Sequence, residues 1–312
     1  MNTRYVAIKL LRALVTLWLV VTFVFIVLRL TGNPVEALLA PDAPPEEISY
    51  YTERLGLDQP IPVQYARYIT SLLSGDLGLS FFDSRPVQQV IGERIPFTLL
   101  LAVTALVVAV GVGVSLGIIA ALNRNRLIDR LTMAFAVFGF AIPNFFFGIL
   151  LILVFSLYFR ILPSAGHGTV LHLIMPAATL GLAIAGAFAR FTRSSMLEVL
   201  NRPYMQAAQA KGVPYTTRVL RHALPNAAIP LVTVLGFSMA GLLAGSIVTE
   251  TVFAWPGLGR LLVTSVGGRD LAVVQALVIL FAAIMVAVNL TVDLLYSVLD
   301  PRIRVTAGGQ GT

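Results

Sequence analysis

Long stretches without a charged residue constrain this chain more than any other feature. A helix needs about 20 apolar residues to cross the hydrocarbon core of a bilayer. Five charge-free windows reach that length: 96–123, 131–159, 161–189, 223–249 and 271–292. A shorter run, 13–28, becomes long enough if Lys9, Arg12 and Arg29 extend toward the headgroups. The sequence therefore predicts an all-α integral membrane protein with six membrane-spanning helices.

Composition agrees with a membrane-embedded chain. Only 12% of the 312 residues are charged, against roughly 25% in soluble domains. Cysteine is absent, which excludes disulfides and thiolate metal sites. Basic residues precede the first apolar run, as in a secretory signal, but no small-x-small cleavage site follows in residues 28–36. We expect this run to be retained as the first span.

The distribution of charge predicts the orientation. On the side of the N-terminus, the segments between spans hold 14 of the 22 lysines and arginines but only three acidic residues, whereas the opposite side holds eleven acids. By the positive-inside rule, both termini are cytoplasmic. The net charge of +7 therefore reflects the orientation in the membrane. Nucleic-acid binding would require a basic face on a water-soluble domain, and the sequence shows none.

These patterns predict the domain organisation. The acidic, proline-rich segment 33–95 is expected to hold two helices, one opened by Pro44 and Pro45 with Glu46 and Glu47 in its first turn, the other over 63–73. The predicted parts are a cytoplasmic N-terminus with the first span (1–32), an extracytoplasmic helical cap (33–95), a five-helix core (96–303) with a cytoplasmic elbow (190–225), and a disordered tail (304–312).

Small residues and prolines inside the spans predict how the helices pack. Gly113 and Gly117, and likewise Gly241 and Gly245, are four residues apart and share a helix face, which allows close approach of another helix in lipid. Pro143 removes a backbone hydrogen bond within the third span and is expected to kink it.

One polar stretch interrupts the apolar pattern, YMQAAQAKGVPYTTRVLRHALPN, residues 204–226. Helix-forming residues run up to Gly212, and Pro214 follows, which is a typical helix stop. A second helix is then expected, capped by Thr216 or Thr217, with Pro225 leading into the fifth span. A helix, tight turn and helix on the cytoplasmic face suit docking to another protein.

This stretch resembles the cytoplasmic motif of permeases from ATP-binding cassette (ABC) importers. The family pattern is EAA, three residues, Gly, nine residues, a hydrophobic residue, any residue, Leu and Pro. Gln206 and His222 depart from the pattern, at the acidic and hydrophobic positions. The coupling residues that the resemblance implies are Gln206, Ala207, Ala208, Lys211, Gly212, Leu224 and Pro225.

The resemblance extends over nearly the whole chain. ARFTRSSMLEVLNRPYMQAAQAKG, ETVFAWPGLGRLL and VDLLYSVLDPRIR are similar to the first membrane subunit of dipeptide and oligopeptide permeases, whose branch includes glutathione and nickel importers. It implies a type I importer fold, a homologous second permease subunit, two ATPase subunits that use ATP and Mg²⁺, and an external substrate-binding protein. It implies no catalysis and no cofactor in this chain, which has no P-loop motif. Peptides are the expected cargo, with glutathione, nickel complexes or other small polar solutes as alternatives.

Two further groups are candidate functional sites. Asn289 and Asp293 place polar groups inside the last span. An ionisable residue at such a position is either functional or paired, and the candidate partners of Asp293 are Arg190 and Arg193. On the outer side, Glu250, Trp255, Pro256 and Gly257 belong to a loop that either lines an outer gate or anchors itself.

Other classes of protein fit the sequence less well. His167, His172 and His222 are scattered without metal-ligand spacing, and Ser194 and Ser195 lack a GxSxG elbow. An intramembrane protease would need paired catalytic groups within the spans. A channel would not need the elbow, and an ion-driven transporter would need more buried acids and internal repeats.

Overall fold

The computed structural model describes residues 3–30, 35, 39, 43–54 and 56–299. Across these residues the chain is helical, and β pairing is confined to an isolated bridge between Leu79 and Pro86. The α-helices are α1 (Thr3–Leu30), α2 (Pro45–Arg54), α3 (Ile61–Leu73), α4 (Val87–Gly92), α5 (Ile95–Leu122), α6 (Leu127–Ala141), α7 (Asn144–Leu151), α8 (Leu171–Leu200), α9 (Pro203–Ala210), α10 (Tyr215–Thr217), α11 (Leu224–Val252), α12 (Leu258–Gly267) and α13 (Leu271–Leu299). Two π-helical segments, Ile152–Tyr158 and Arg218–Ala223, follow α7 and α10.

The described chain divides into two compact units. One contains Phe97–Gly259 and residues 288–299, and the other contains Thr3–Pro96 and Arg260–Ala287. The break between the units at residues 96 and 97 lies beside the predicted boundary between cap and core, but the unit that holds the cap also contains helix α1 and residues 260–287.

The described residues contain up to six apolar spans if each bent helix pair is counted as one span. Four helices are long and apolar enough to cross a bilayer: Val6–Val27, Val87–Leu122, Leu171–Leu200 and Leu271–Val292. Two further pairs qualify when each is counted together, Leu127–Gly139 with Asn144–Tyr158, and Tyr215–Ala228 with Pro230–Met239. The predicted class of an all-α, six-span membrane protein is confirmed.

The third span is broken. A single helix over 131–159 with a kink is wrong, because α6 ends at Ala141 and the next helical segment turns away by 106°. Ile142 is extended at φ −86° and ψ 125°, as the ring of a following proline demands. Pro143 then sits at the N-terminal end of α7. The sequence located the distortion but underestimated it.

The fourth span begins later than its charge-free window. The window starts at residue 161, yet α8 begins at Leu171. Gly166 and Gly168 have φ of +98° and +119°, which a helix cannot contain. A charge-free window therefore locates an apolar segment of the chain, but it does not show at which residue the helix begins.

Three of the four predicted glycine contacts are present, since a Cβ at Gly245 would also lie 3.1 Å from the Leu180 side chain. A Cβ at Gly113 or at Gly117 would meet α8 at 2.5 Å, striking the Cβ of Phe188 or of Thr192 respectively. These glycines thus let α5 and α8 approach closely. A Cβ at Gly241, in contrast, would have no atom within 4 Å, so this residue makes no such contact.

Both predicted helices of segment 33–95 are present. Helix α2 carries Glu46 and Glu47 in its first turn, and α3 extends the predicted 63–73 by two residues. Further along the same unit, the Ser80 hydroxyl donates a 2.5 Å hydrogen bond to the buried Asp270. The Asp270 carboxylate also accepts a 3.3 Å bond from the Val273 amide, and so caps the N-terminus of α13.

Candidate functional site

The tip of the elbow is a glycine turn that ends α9. The Gly212 amide donates to Gln209 O at 2.9 Å, and the Val213 amide donates to Ala208 O at 3.1 Å. This pair of bonds is a Schellman motif, and Gly212 has the positive φ, +75°, that the motif requires. The predicted stop of the first elbow helix at Gly212 is confirmed.

The second elbow helix starts differently from the prediction. Thr216 and Thr217 are not caps, because they lie inside α10, and Pro214 occupies the N-cap position without a side-chain hydrogen bond. Pro214 suits this position because its φ is already restricted. Proline has no amide hydrogen, and at the start of a helix such a hydrogen would have no intrahelical acceptor. The helix then passes through Arg218–Ala223 directly into α11, so the elbow is continuous with the fifth span.

A buried apolar cluster fixes the base of the elbow. Met205, Val219 and Ala223 from the elbow pack with Ala121 at the end of α5 and Met196 near the end of α8. Each of these side chains is buried. The elbow is thereby held against three spans, and a force on it would be passed to them.

The tip itself is open. Gln206, Ala207, Lys211, Gly212 and Pro225 are exposed. Ala208 is half-buried, and Leu224 packs against the apolar cluster. The structure therefore collects the motif residues into one protruding segment with a fixed base.

Arg218 braces the two arms of the elbow. Its Nη1 donates a 2.7 Å hydrogen bond to Gln209 Oε1, and its guanidinium carbon lies 5.6 Å from the centre of the Tyr215 ring. Sequence reasoning did not single out Arg218. The signal that could have revealed it is the spacing of Gln209 and Arg218, which lie nine positions apart on either side of the helix stop at Gly212.

A partly buried ion pair joins the start of α6 to α8. Arg193 donates to both carboxylate oxygens of Asp129 at 2.5 and 2.7 Å, and the Asn125 amide donates to the same carboxylate at 2.9 Å. Asp129 is buried. Arg193 thus pairs with Asp129, a partner that the sequence did not suggest, while Arg190 lies 5.6 Å from the ring centre of Phe191.

The loop after α11 is folded around Glu250. Glu250 is fully buried, and its two oxygens accept 2.8 and 2.7 Å bonds from Thr98 Oγ1 and the Gly259 amide. A Cβ at Gly257 would strike the same carboxylate. Only glycine fits there, since the loop backbone crosses directly over the acid.

Trp255 and Pro256 complete this loop. Both residues are buried, and Trp255 Nε1 donates a 3.0 Å hydrogen bond to Phe97 O. The structure brings all four predicted loop residues together with Thr98, which the sequence did not reveal. Their geometry is that of an anchored loop, and a gating role for them stays a prediction.

The remaining candidates are separate from these sites. His167 stacks edge-on against Phe97, and His172 Nδ1 is 2.8 Å from Thr169 Oγ1. Asn289 is exposed on α13, and the Asp293 side chain lies outside the described part of the structure. No group of three potential metal ligands occurs among the described residues.

A helical chain of six spans with a rigid helix–turn–helix elbow is the architecture of an ABC importer permease subunit. One chain of the MetNI methionine ABC transporter, in an inward-facing conformation, superimposes with a TM-score of 0.58 over 68% of this chain and 97% of its own, at 18% identity. That likeness supports the fold alone.

The chain belongs to the family of binding-protein-dependent transport system inner membrane components. The family model matches residues 113–305, and its N-terminal companion matches 2–102. Relatives include the glutathione transport system permease protein GsiC of Escherichia coli K12 and of Salmonella typhimurium LT2, each 46% identical over 96% of this chain and 98% of theirs. GsiC of Salmonella paratyphi A is 47% identical over the same shares. The chain is therefore an ABC importer permease subunit of a bacterial inner membrane.

Proposed function

We propose that this chain forms half of a translocation pore for short peptides, including glutathione, delivered by an external substrate-binding protein. The observation that carries the proposal is the elbow, whose exposed glycine tip is rigidly joined through a buried cluster to the ends of α5 and α8. Such an element can transmit the movement of a docked partner to the spans as a rigid body. Glutathione is a tripeptide, and the GsiC relatives make it the first cargo to test.

The pore would be completed by a homologous second permease subunit. Two cytoplasmic ATPase subunits would bind ATP and Mg²⁺ and receive the elbow around Gly212, so that this chain itself binds no nucleotide. The charge distribution supports this arrangement, because the elbow lies on the side rich in lysine and arginine.

Cross-linking tests the docking. Because the sequence has no cysteine, a single Lys211→Cys substitution creates a unique thiol at the exposed tip. We expect a short bifunctional reagent to join it to an ATPase subunit in the assembled complex. Arg160→Cys is the matched control, since Arg160 is also exposed but lies outside the elbow. Cross-linking at residue 160 and none at 211 would contradict the proposal.

Uptake assays test the cargo. The four-subunit complex in proteoliposomes, supplied with its binding protein, is expected to accumulate labelled glutathione or dipeptides when ATP is enclosed on the ATPase side. Competition between the two solutes ranks them. Transport of a nickel complex without either solute would reject a peptide cargo while leaving the elbow docking intact.

A further inference from the structure

An open cavity of about 290 Å³ lies within the unit formed by Thr3–Pro96 and Arg260–Ala287. Helices α1, α3 and α13 form its walls, together with the loops around residues 56 and 76–81. Its volume is at the lower end of the range for small-molecule sites. Neither the coupling elbow nor the Glu250 loop contributes to it.

Two arginines line the cavity. Arg29 is half-buried, with its guanidinium carbon 5.3 Å from the centre of the Phe25 ring. Arg67 also lines the cavity, and its Nη1 would lie 2.7 Å from a Cβ placed on Gly56. Neither guanidinium forms an ion pair with any carboxylate of the described residues. The two free cations form a site suited to a phosphate.

The side chain of Gln64, which also lines the cavity, has a buried oxygen with no partner among the described residues. The Gln64 amide donates to Leu57 O and Gln59 O at 3.1 and 2.7 Å, which fixes its orientation and leaves Oε1 buried and unpaired. The Tyr68 hydroxyl is also buried, and burial raises the pKa of Tyr68, while its interaction with the Gln275 side chain lowers it. A buried oxygen without a partner costs free energy unless a ligand or water satisfies it.

Apolar residues of two spans also line the cavity. Phe25 lies one turn before Arg29, near the end of the span Val6–Val27. Leu271, Gln275 and Ile279 are spaced four residues apart on one face of α13. Because the span of α13 starts at Leu271, Ile279 is about 12 Å deeper in the bilayer, at 1.5 Å per residue. The cavity therefore leads from headgroup depth into the hydrocarbon.

We propose that this cavity binds a membrane phospholipid, with its phosphate between Arg29 and Arg67 and an acyl chain against Phe25 and Ile279. Asp76 also lines the cavity and accepts a 2.9 Å bond from the Gly78 amide. Its carboxylate repels a second anion and attracts an ammonium group, which favours phosphatidylethanolamine over phosphatidylglycerol. A bound lipid would join α3 to the two spans that it touches.

Native mass spectrometry of the assembled complex in mild detergent tests the proposal. We expect one phosphatidylethanolamine to stay bound to the native complex, and the double variant Arg29→Gln, Arg67→Gln to bind it at least about tenfold more weakly, since two charge-assisted contacts are lost. Arg94→Gln is the matched control, because it removes an arginine of the same unit outside the cavity. Equal retention in all three forms would overturn the proposal.

A second variant guards against misfolding of the first. Ala272→Phe would fill part of the cavity while both arginines remain, and it should also expel the lipid from a complex that elutes normally on size exclusion. Inorganic phosphate separates a lipid site from a free-phosphate site. Phosphate at millimolar concentration that displaces no lipid supports the proposal, whereas displacement of the lipid by phosphate alone would assign the site to the free anion.

Discussion

Thr98 and Glu250 are 152 positions apart in the sequence, and the Thr98 hydroxyl donates a 2.8 Å hydrogen bond to Glu250 Oε1 in a buried site. The same Thr98 oxygen accepts a 2.8 Å bond from the Leu258 amide, and Glu250 Oε2 accepts from the Gly259 amide. These bonds close a circuit between the start of α5, the end of α11 and the start of α12. The loop is thus fastened at both of its ends.

Glu250→Ala should destabilise the protein by about 2–4 kcal/mol, because two buried donors lose their acceptor. Thermal unfolding of the detergent-purified chain measures this as a lowered Tm. Glu198→Ala is the control, since Glu198 pairs with Arg202 on the surface, where both side chains are more than half exposed. A surface pair contributes only about 0–1 kcal/mol. Similar losses in both variants would argue against a structural role for the Glu250 circuit.

Arg193→Ala should cost about 1–3 kcal/mol, because it leaves the Asp129 carboxylate without its cation in a partly buried site. Arg190→Ala, three residues earlier on α8, removes only an exposed cation beside Phe191 and should have little effect. Tm values and the yield of folded protein distinguish the two. If both variants behave alike, charge on this face matters more than the specific pair. Combining Arg193→Ala with Asp129→Ala should recover part of the loss.

Gly117→Ala should cost about 1–3 kcal/mol, because its new Cβ would meet the Cβ of Thr192 at 2.5 Å. Gly111→Ala is a control on the same helix, where a Cβ would have no atom within 4 Å. That variant should be neutral or stabilise the protein, since alanine is the better helix former. Comparing the two Tm values isolates the close approach of α5 and α8. A larger loss for Gly111 would contradict it.

Gly212→Val should uncouple ATP hydrolysis from uptake. Open space surrounds the residue, but its φ of +75° costs a β-branched residue of the order of 1–3 kcal/mol. The turn is then expected to rearrange. Gly212→Asn is the control, because asparagine tolerates the left-handed region. Proteoliposomes that contain the full complex report both rates. Coupled uptake of normal rate in the valine variant would show that the shape of the turn is not needed.

Several local features were predictable because they depend on neighbours in the sequence. The elbow stop at Gly212 and the acidic first turn of α2 follow from backbone preferences of single residues and were confirmed. The break after Ala141 was foreseen only as a kink. How far a chain turns at Pro143 depends on what each half packs against, and the sequence does not contain that packing.

By itself, the sequence determined that this is an all-α chain of six lipid-spanning segments with one elbow on its basic side. The length of each apolar run, the charge bias and the helix stops each depend only on residues that are near one another in the sequence. Tertiary structure alone decided the pairing of Arg193 with Asp129, the Thr98–Glu250 circuit and the cavity beside Arg29. In the first two, the partners are 64 and 152 positions apart. Contacts at such separations form only when helix packing brings the faces together, which no local pattern encodes.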